Sequence, residues 1–384
     1  MPGKFFRVEV NPAVFKWLRE SSGWTHEDVG KRLKTNVETI KEIEVGTKKP
    51  TLQQLKELSQ AYNRPIAAFL LPEPEIEKPL PKDYRMLPNK EGIFDRKTIL
   101  ALRKARSLQE ISKELSSNIE YDIIPKIKKI NLSDNPDIIA EQYRKIFGLT
   151  GEKQKKFPDA YKLFNYLRDI LEDMNILVFQ FSMPIEDVRG VALADDFPAT
   201  IVVNKKDTIT ARLFSLMHEF AHILLGETAI DIPELSIIKR NKIEFWCNEF
   251  GSSFLLPKKL AKMLFESEKN NLTGTETLKS LSGKYKVSKR MLLYNMYKLN
   301  YIPISEYKDV LERYSPEKPS EKSKKKKQKG GISQERKCLS EVGNKFVSLV
   351  ANNFDENYIT YSDALNFLSI KSENFDKVMI KASK

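Results

Sequence analysis

The segment ARLFSLMHEFAHILLG, residues 211–226, limits the fold more than any other part of the sequence. Its pattern predicts a helix over 208–225 whose side chains are mostly apolar. Burying two histidines and a glutamate on such a helix would be costly unless they bind something. His218 and His222 are spaced i, i+4, so both imidazoles lie on one face about one turn apart. The segment therefore predicts a helix whose two histidines bind one metal ion.

A third ligand is predicted on a second helix, within IEFWCNEFGSSFLLP (243–257). The carboxylate of Glu244, 22 residues after His222, would complete a zinc site, with Mn²⁺ as the alternative ion. Asn248, at i+4 from Glu244, would accept a hydrogen bond from a ligand imidazole. Glu249 is the rival third ligand, although it points to a different side of a regular helix. The competing interpretation is a buried helix whose two histidines hydrogen-bond each other or the backbone.

Glu219 follows His218 directly, in the sequence pattern H-E-x-x-H, and is the candidate general base. It would take a proton from the attacking water and pass it to the leaving amine. A tyrosine, Arg212 or a backbone amide could stabilise the oxyanion, and the sequence does not choose among them. The strand predicted for ATIVVN (199–204) could hold a peptide substrate if it lies at a sheet edge.

The strings around these helices resemble the ImmA/IrrE family of metallo-endopeptidases. The resemblance rests on the two helices above and on further strings along the chain: DYRMLP (83–88), LALRKARSLQEISKEL (100–115), ILVFQF (176–181), RGVAL (189–193), LKSLSGKYKVSKRMLLYNMYKL (278–299) and GGISQERKCLSEVGNKF (330–346). It implies a gluzincin-like site with His218, His222 and Glu244 as ligands. It also implies cleavage of a repressor that releases stress-response or mobile-element genes. Gly251 departs from the family, which usually has alanine there.

Residues 25–50 resemble the Cro/repressor-type (XRE) helix-turn-helix. Local signals predict short helices over residues 11–71, with N-caps or first residues at Asn11, Thr25, Asn36 and Thr51. The resemblance implies a third helix in the DNA major groove. Its candidate base contacts are Asn36, Val37, Glu38, Thr39 and Glu42.

This helix is poorly suited to DNA in two respects. Two carboxylates near phosphates are unfavourable, and no Arg or Lys is placed for a guanine. His26 also replaces the glutamine that usually follows the helix-2 cap. DNA binding and protein contacts, for example with a repressor of similar fold, both stay open.

Together these features predict an α+β protein. It would have an N-terminal all-α helix-turn-helix domain, a mainly helical zincin-like metallopeptidase domain with a small sheet, and a small helical C-terminal unit. The predicted divisions are domain 1–72, linker 73–95, domain 96–314 with a helix-turn-helix-like part at 275–299, Lys-rich linker 315–331, and unit 332–384.

Composition limits the cellular compartment and the partners that we expect for this 384-residue chain. Its formal charge is +13, but a lysine run between 318 and 329 supplies part of it and is more typical of a solvated tether than of a nucleic-acid contact. Two cysteines argue against a disulfide scaffold. No stretch is apolar enough to span a bilayer, and no secretion signal is recognised. We therefore expect a cytoplasmic protein without membrane partners.

Two functional hypotheses follow. The first is a zinc endopeptidase fused to a helix-turn-helix, acting on a protein substrate. The alternative is a DNA-binding transcriptional regulator, antitoxin-like, whose metal domain is a sensor or scaffold without turnover. Glu219 favours the first, because a scaffold needs the ligands but has no use for a carboxylate there.

Overall fold

A computed structural model describes residues 6–62, 64–74, 94–231, 242–313 and 333–382. Most of the predicted linker 73–95 and all of the Lys-rich segment 315–331 lie outside these residues. The chain divides into two compact units, Met1–Lys104 and Ala105–Lys384. The α+β class is confirmed: helices dominate and a small sheet lies in the second unit. No helix of the described part is long and apolar enough to cross a membrane.

The first unit is built from short helices that begin and end near the predicted residues. They are α1 (Pro12–Ser21), α2 (His26–Leu33), α3 (Val37–Val45), α4 (Leu52–Tyr62), a 3-10 helix (Ile66–Leu70) and the first part of α5 (Arg96–Asn118). The Asn11 side chain accepts a hydrogen bond from the Ala13 backbone, and Thr25 forms a capping box with Asp28. Gly46 ends α3 with a φ of 88°, which favours glycine. Local chemistry therefore sets these helix boundaries.

A buried ion pair joins the helices of the first unit. Arg19 on α1 donates to both oxygens of Glu44 on α3, at 2.6 and 3.0 Å. The Nε2 atom of His26 lies 3.1 Å from the same carboxylate. The side chains of Arg19 and Glu44 are each 7% exposed, so neither charge is well solvated. The residue that replaces the usual glutamine thus contacts the core ion pair.

The second unit contains the remaining helices and all four strands of the described sheet. The helices are α6 (Pro136–Ile146), α7 (Gly151–Lys156), α8 (Ala160–Asp173), α9 (Ile209–Leu225), α10 (Lys242–Leu255), α11 (Lys258–Ser267), α12 (Thr275–Tyr285), α13 (Lys289–Lys298), α14 (Ile304–Arg313), α15 (Gln334–Asp355), α16 (Tyr361–Leu368) and α17 (Phe375–Ala382). The strands are β1 (Leu177–Phe181), β2 (Gly190–Leu193), β3 (Thr200–Asn204) and β4 (Ala229–Asp231). The first three strands confirm the predicted ones, whereas β4 was not predicted.

The strand order is β1-β3-β2-β4, with β3 parallel to β1 and antiparallel to β2. β4 pairs antiparallel with β2. The expectation that ATIVVN could be an edge strand is therefore wrong, because β3 is hydrogen-bonded on both sides. Its apolar residues are buried on both faces, as for an interior strand. In the described part of the sheet, β1 and β4 are at the edges.

Helices cover both faces of this sheet. Alternate strand residues such as Val178, Ile201 and Val203 share one hydrophobic cluster with Leu216 and Phe220 of α9. On the opposite face, the ring of Phe179 lies 5.9 Å from that of Phe346 on α15. The period of two along each strand therefore places α9 against one face and α15 against the other.

Helix α15 bends at Gly343, whose φ of 83° and ψ of 163° are not helical. After the bend, the backbone N–H of Lys345 donates to the buried Glu172 carboxylate at 2.9 Å. A Cβ at Gly343 would lie 2.7 Å from Arg168 and 3.0 Å from the Glu172 carboxyl carbon. Both the backbone angle and the close approach thus require glycine here.

The helix-turn-helix-like part at 275–299 consists of α12 and α13, joined through Lys286 in the left-handed conformation. Most of α13 is packed inward, including Met291, Leu292 and Leu293. A recognition helix must present its side chains to a groove. The burial of α13 therefore favours a structural role for this pair of helices.

Candidate metal centre and helix-turn-helix surface

Helix α9 carries the H-E-x-x-H sequence through the middle of the second unit. Thr208 caps its start by accepting a hydrogen bond from the Ala211 N–H, and Gly226 ends it with a φ of 73°. His218, Glu219 and His222 are each no more than 1% exposed. Apolar residues surround them on the same helix, so the polar atoms are held in a site of low dielectric constant.

Three ligand atoms converge at one point, from His218, His222 and Glu244. The two Nε2 atoms lie 3.2 Å apart. Each of them lies 3.2 Å from a different carboxylate oxygen of Glu244, in the first turn of α10. Such a group can hold a metal ion. The i, i+4 spacing and the packing of α10 on α9 together produce this arrangement.

The donor set fits zinc. Ligand atoms about 2.0–2.2 Å from a tetrahedral zinc ion are separated by roughly 3.4 Å, close to the observed separations. Two imidazole nitrogens and one carboxylate leave a fourth position open, as catalytic zinc sites require. Mutual hydrogen bonding between the histidines explains their own contact, but it does not explain why a carboxylate oxygen meets each one.

The Glu244 carboxylate is mostly buried, with 25% of its side chain exposed. Burial alone would raise its pKa, but hydrogen bonds with His218 and His222 and their charge outweigh burial and lower the pKa. The carboxylate is therefore ionised at neutral pH, which is the form that binds a cation.

The rival ligand Glu249 is engaged elsewhere. It is 4% exposed, forms an ion pair with Lys298 and accepts a hydrogen bond from the Tyr294 hydroxyl at 3.4 Å. Five residues beyond Glu244 on the same helix, it contacts α13 instead of α9. The geometry thus selects Glu244 over Glu249 as the partner of the histidines.

Asn248 does not lie where it could accept the predicted hydrogen bond from His218 or His222. Its side chain is exposed, and within the described residues no hydrogen bond joins it to His218 or His222. One turn of helix carries it about 6 Å along α10 from Glu244, toward solvent. Nδ1 of His222 has no hydrogen-bond partner in the described part of the chain. The prediction that Asn248 accepts a hydrogen bond from one of the two imidazoles is therefore wrong.

Gly190, at the start of β2, is a site residue that was not predicted from the sequence. A Cβ there would lie 2.8 Å from Cγ and 2.9 Å from Cδ of Glu219, and closer still to Oε1. The absent side chain thus leaves the space that the Glu219 side chain occupies. A glycine inside a strand is a known sign of such close approach, so RGVAL carried a usable signal.

Arg212 lies away from the metal ligands. It is six residues before His218 on α9, a rise of about 9 Å and a rotation to another side of the helix. Its Nη1 donates to Oε1 of Gln180 on β1 at 3.0 Å. Arg212 is therefore not placed to stabilise the oxyanion at the candidate metal centre.

Gly251 faces α9 without requiring glycine. A Cβ at this position would lie 3.5 Å from the backbone nitrogen of His218 and 3.5 Å from the Phe214 ring. Those are ordinary van der Waals distances. An alanine fits here, so the departure from the family pattern leaves the site unchanged.

The predicted DNA-contacting residues lie around α3, and each has a local partner. Asn36 Oδ1 accepts from the Thr39 N–H at 2.9 Å, and Glu38 pairs with Lys41 at 3.0 Å. Lys48 Nζ lies 3.0 Å from Glu42 and 3.1 Å from the Thr39 hydroxyl. These lysines offset part of the negative charge that the sequence placed on the helix. Base contact by Asn36, Glu38, Thr39 and Glu42 stays a prediction.

The fold and the site together define a class of protein: a helix-turn-helix domain joined to a metallopeptidase-like domain. Residues 171–297 match the family model described as IrrE N-terminal-like domain, Peptidase_M78. Residues 15–69 match the model described as helix-turn-helix, HTH_3. The first match contains His218, His222 and Glu244. The second contains most of α1, all of α2–α4 and most of the following 3-10 helix.

The predicted resemblance is confirmed in both regions. Neither the curated proteins nor the solved structures yield a match to the chain. The two domains fit a DNA-binding regulator fused to a metallopeptidase-like domain.

Proposed function

We propose that this chain is a cytoplasmic zinc-dependent endopeptidase that cleaves a protein substrate, a transcriptional repressor, and so switches on stress-response or mobile-element genes. The observation that carries the proposal is the convergence of two imidazoles and one carboxylate beside a buried glutamate on the same helix. Bound zinc would supply Lewis-acid polarisation of the substrate carbonyl.

The proton transfers fall to Glu219. Its carboxylate is fully buried and follows a ligand residue directly, which suits a general base. It would take the proton of the attacking water and deliver it to the leaving amine. The space left by Gly190 supports this role, because it sets where the Glu219 side chain lies.

A substrate strand fits best along β4. This strand pairs with β2 on one side, and the described residues provide no partner on the other. β2 itself begins at Gly190, beside Glu219. An extended peptide added to β4 would have its main chain bound by sheet hydrogen bonds close to the base.

The helix-turn-helix would bring the enzyme to its place of action, through DNA or through a repressor of similar fold. The exposed surface of α3 carries both acids and lysines, so a DNA complex would need the lysines to meet phosphates. A gel shift with the full chain and a random duplex library tests this directly. Sequence-selective complexes that weaken as salt rises would support DNA binding.

Three purified proteins test the proposed activity: the wild type, His218→Ala and Glu219→Gln. Plasma mass spectrometry should find about one metal per chain in the wild type and in Glu219→Gln, and none in His218→Ala. Each protein is then incubated with a lysate of the source organism, and newly formed N-termini are labelled and sequenced. Termini that appear with the wild type alone identify the substrate.

The outcome for Glu219→Gln separates the two hypotheses. If the wild type and Glu219→Gln both bind metal and neither produces a new N-terminus, the result favours the alternative, a regulator whose metal domain is a scaffold. Cleavage by Glu219→Gln at the wild-type rate would sink the assigned role of the base.

A further inference from the structure

The second unit contains a cleft of about 580 Å³. It lies among α8, β1, the first turn of α9 and the first part of α15. Its volume is in the range of small-molecule sites, roughly 300–1,000 Å³. None of the three metal-binding residues lines it. The cleft is therefore separate from the metal centre.

The inner wall of this cleft holds a buried guanidinium. Arg212 is 8% exposed, and its charge has no acidic partner at hydrogen-bond distance in the described structure. Its Nη1 is used by the neutral Gln180, and its Nε donor is buried without a hydrogen-bond partner among the described residues. An unsatisfied buried donor is costly, more so on a charged group. An anion in the cleft would lie beside this guanidinium and balance its charge.

The other basic residue on the inner wall, Arg168, already has protein partners. Arg168 pairs with Glu172 at 2.8 Å and donates to backbone carbonyls of Leu339 and Ser340 in α15. Those contacts attach α15 to α8 and build one side of the cleft. Arg168 thus shapes the cleft, while the charge of Arg212 is not balanced by a nearby acid of the described structure.

The rim adds further positive charge. Arg336 and Lys162 line the cleft, and both side chains are exposed. Asp169 is the one acidic residue of the lining, and it accepts a hydrogen bond from Asn344 at 3.3 Å. The ring of Tyr161 stands 5.4 Å from the Arg212 guanidinium. The cleft therefore combines excess positive charge with an aromatic surface.

We propose that this cleft binds a small organic anion, with its carboxylate or phosphate group held by Arg212 and Arg336. The fork of donors on a guanidinium matches both oxyanions. The ring of Tyr161 would pack against the organic part of the ligand. The bound anion would connect the start of α9 to the start of α15. This inference does not depend on the proposed peptidase activity.

Isothermal titration of the full, metal-loaded chain tests the proposal with three probes: inorganic phosphate, adenosine monophosphate and citrate. Saturable millimolar or tighter binding is expected for at least one organic probe. Binding of adenosine monophosphate identifies a phosphate ligand, and binding of citrate identifies a carboxylate ligand. Binding of inorganic phosphate alone, or of no probe, overturns an organic ligand site.

Two variants locate the binding. Arg336→Gln should weaken it by about tenfold, the cost of one charged hydrogen bond. Lys337→Gln is the matched control, because it removes the same charge from the next exposed position, outside the cleft lining. Arg336 is exposed, so its loss should leave the fold intact. Equal weakening by both variants would show a general charge effect and overturn the site.

Arg212→Lys tests the inner wall. It keeps the charge but loses the planar guanidinium that binds an oxyanion through two donors, so it should also weaken binding by about tenfold. Its metal content and circular dichroism should match those of the wild type. If Arg212→Lys does not fold, Arg336→Gln and its control still decide the question.

Discussion

Replacing Gly190 with alanine should remove most of the proposed peptidase activity while leaving metal binding intact. The new methyl group would lie 2.8 Å from Cγ and 2.9 Å from Cδ of Glu219. Carbon atoms in contact prefer about 3.5 Å or more, so the Glu219 side chain must move by about 0.7 Å at Cγ. Its carboxylate oxygen Oε1 is closer still and must move farther.

This displacement acts directly on the proposed base. A shift of about 1 Å in a reacting group costs roughly 100-fold in rate. That corresponds to about 2.7 kcal/mol of activation free energy. The ligands His218, His222 and Glu244 do not meet the new methyl group among its nearest contacts. We therefore expect kcat/KM to fall about 100-fold with unchanged metal content.

The assay compares cleavage rate and metal content for Gly190→Ala and a control, Gly283→Ala. A Cβ at Gly283, an exposed position in α12, meets nothing within 4 Å. That substitution should keep full activity and raise helix stability by up to about 1 kcal/mol. Wild-type cleavage by a folded, metal-loaded Gly190→Ala protein would refute the placement of Glu219 as the base. Loss of metal would show that the displacement reaches the ligands.

Three further predictions concern stability. Gly343→Ala should lower the free energy of unfolding by at least about 1–3 kcal/mol, because its φ of 83° is strained for alanine and its Cβ meets Arg168; unchanged urea denaturation would contradict this. Glu44→Ala should cost about 3–5 kcal/mol by removing the buried partner of Arg19, whose remaining acidic contact is the exposed Glu20, measured by thermal unfolding beside the exposed control Glu38→Ala. Although burial raises the pKa of Glu44, the hydrogen bond and charge of Arg19 outweigh it and lower the pKa. The stability that this pair contributes should therefore be complete above the ordinary glutamate pKa of about 4.3 and decline as pH falls through the lowered value, a decline absent from Glu44→Ala. Zinc at about 100 times its Kd should stabilise the wild type by about 2.7 kcal/mol over chelated protein, and a similar gain in His218→Ala would argue against the assigned ligands.

Short-range signals in the sequence predicted much of the first unit. Asn11, Thr25 and Asn36 cap the helices that they were expected to cap, and Gly46 ends α3. The same holds for α9, where His218 and His222 share a face because of their i, i+4 spacing. Each of these features depends on residues within about one helical turn, so the local sequence contains the necessary information.

Contacts between distant segments required the tertiary structure. The order β1-β3-β2-β4 places β3 inside the sheet, although its sequence alone also suits an edge. The fit of the Glu219 side chain against Gly190, 29 positions away, depends on how β2 lies beside α9. Glu249 forms an ion pair with Lys298 on α13, whereas Glu244 contacts the histidines of α9.

The sequence by itself determined the helices and the residue types of a candidate metal site. The tertiary structure decided which carboxylate meets the two histidines, which of the described strands lie at the sheet edges, and that Arg212 faces a separate cleft. The physical reason is that these outcomes depend on packing and strand pairing across many residues, whereas caps and helical periodicity are set by near neighbours.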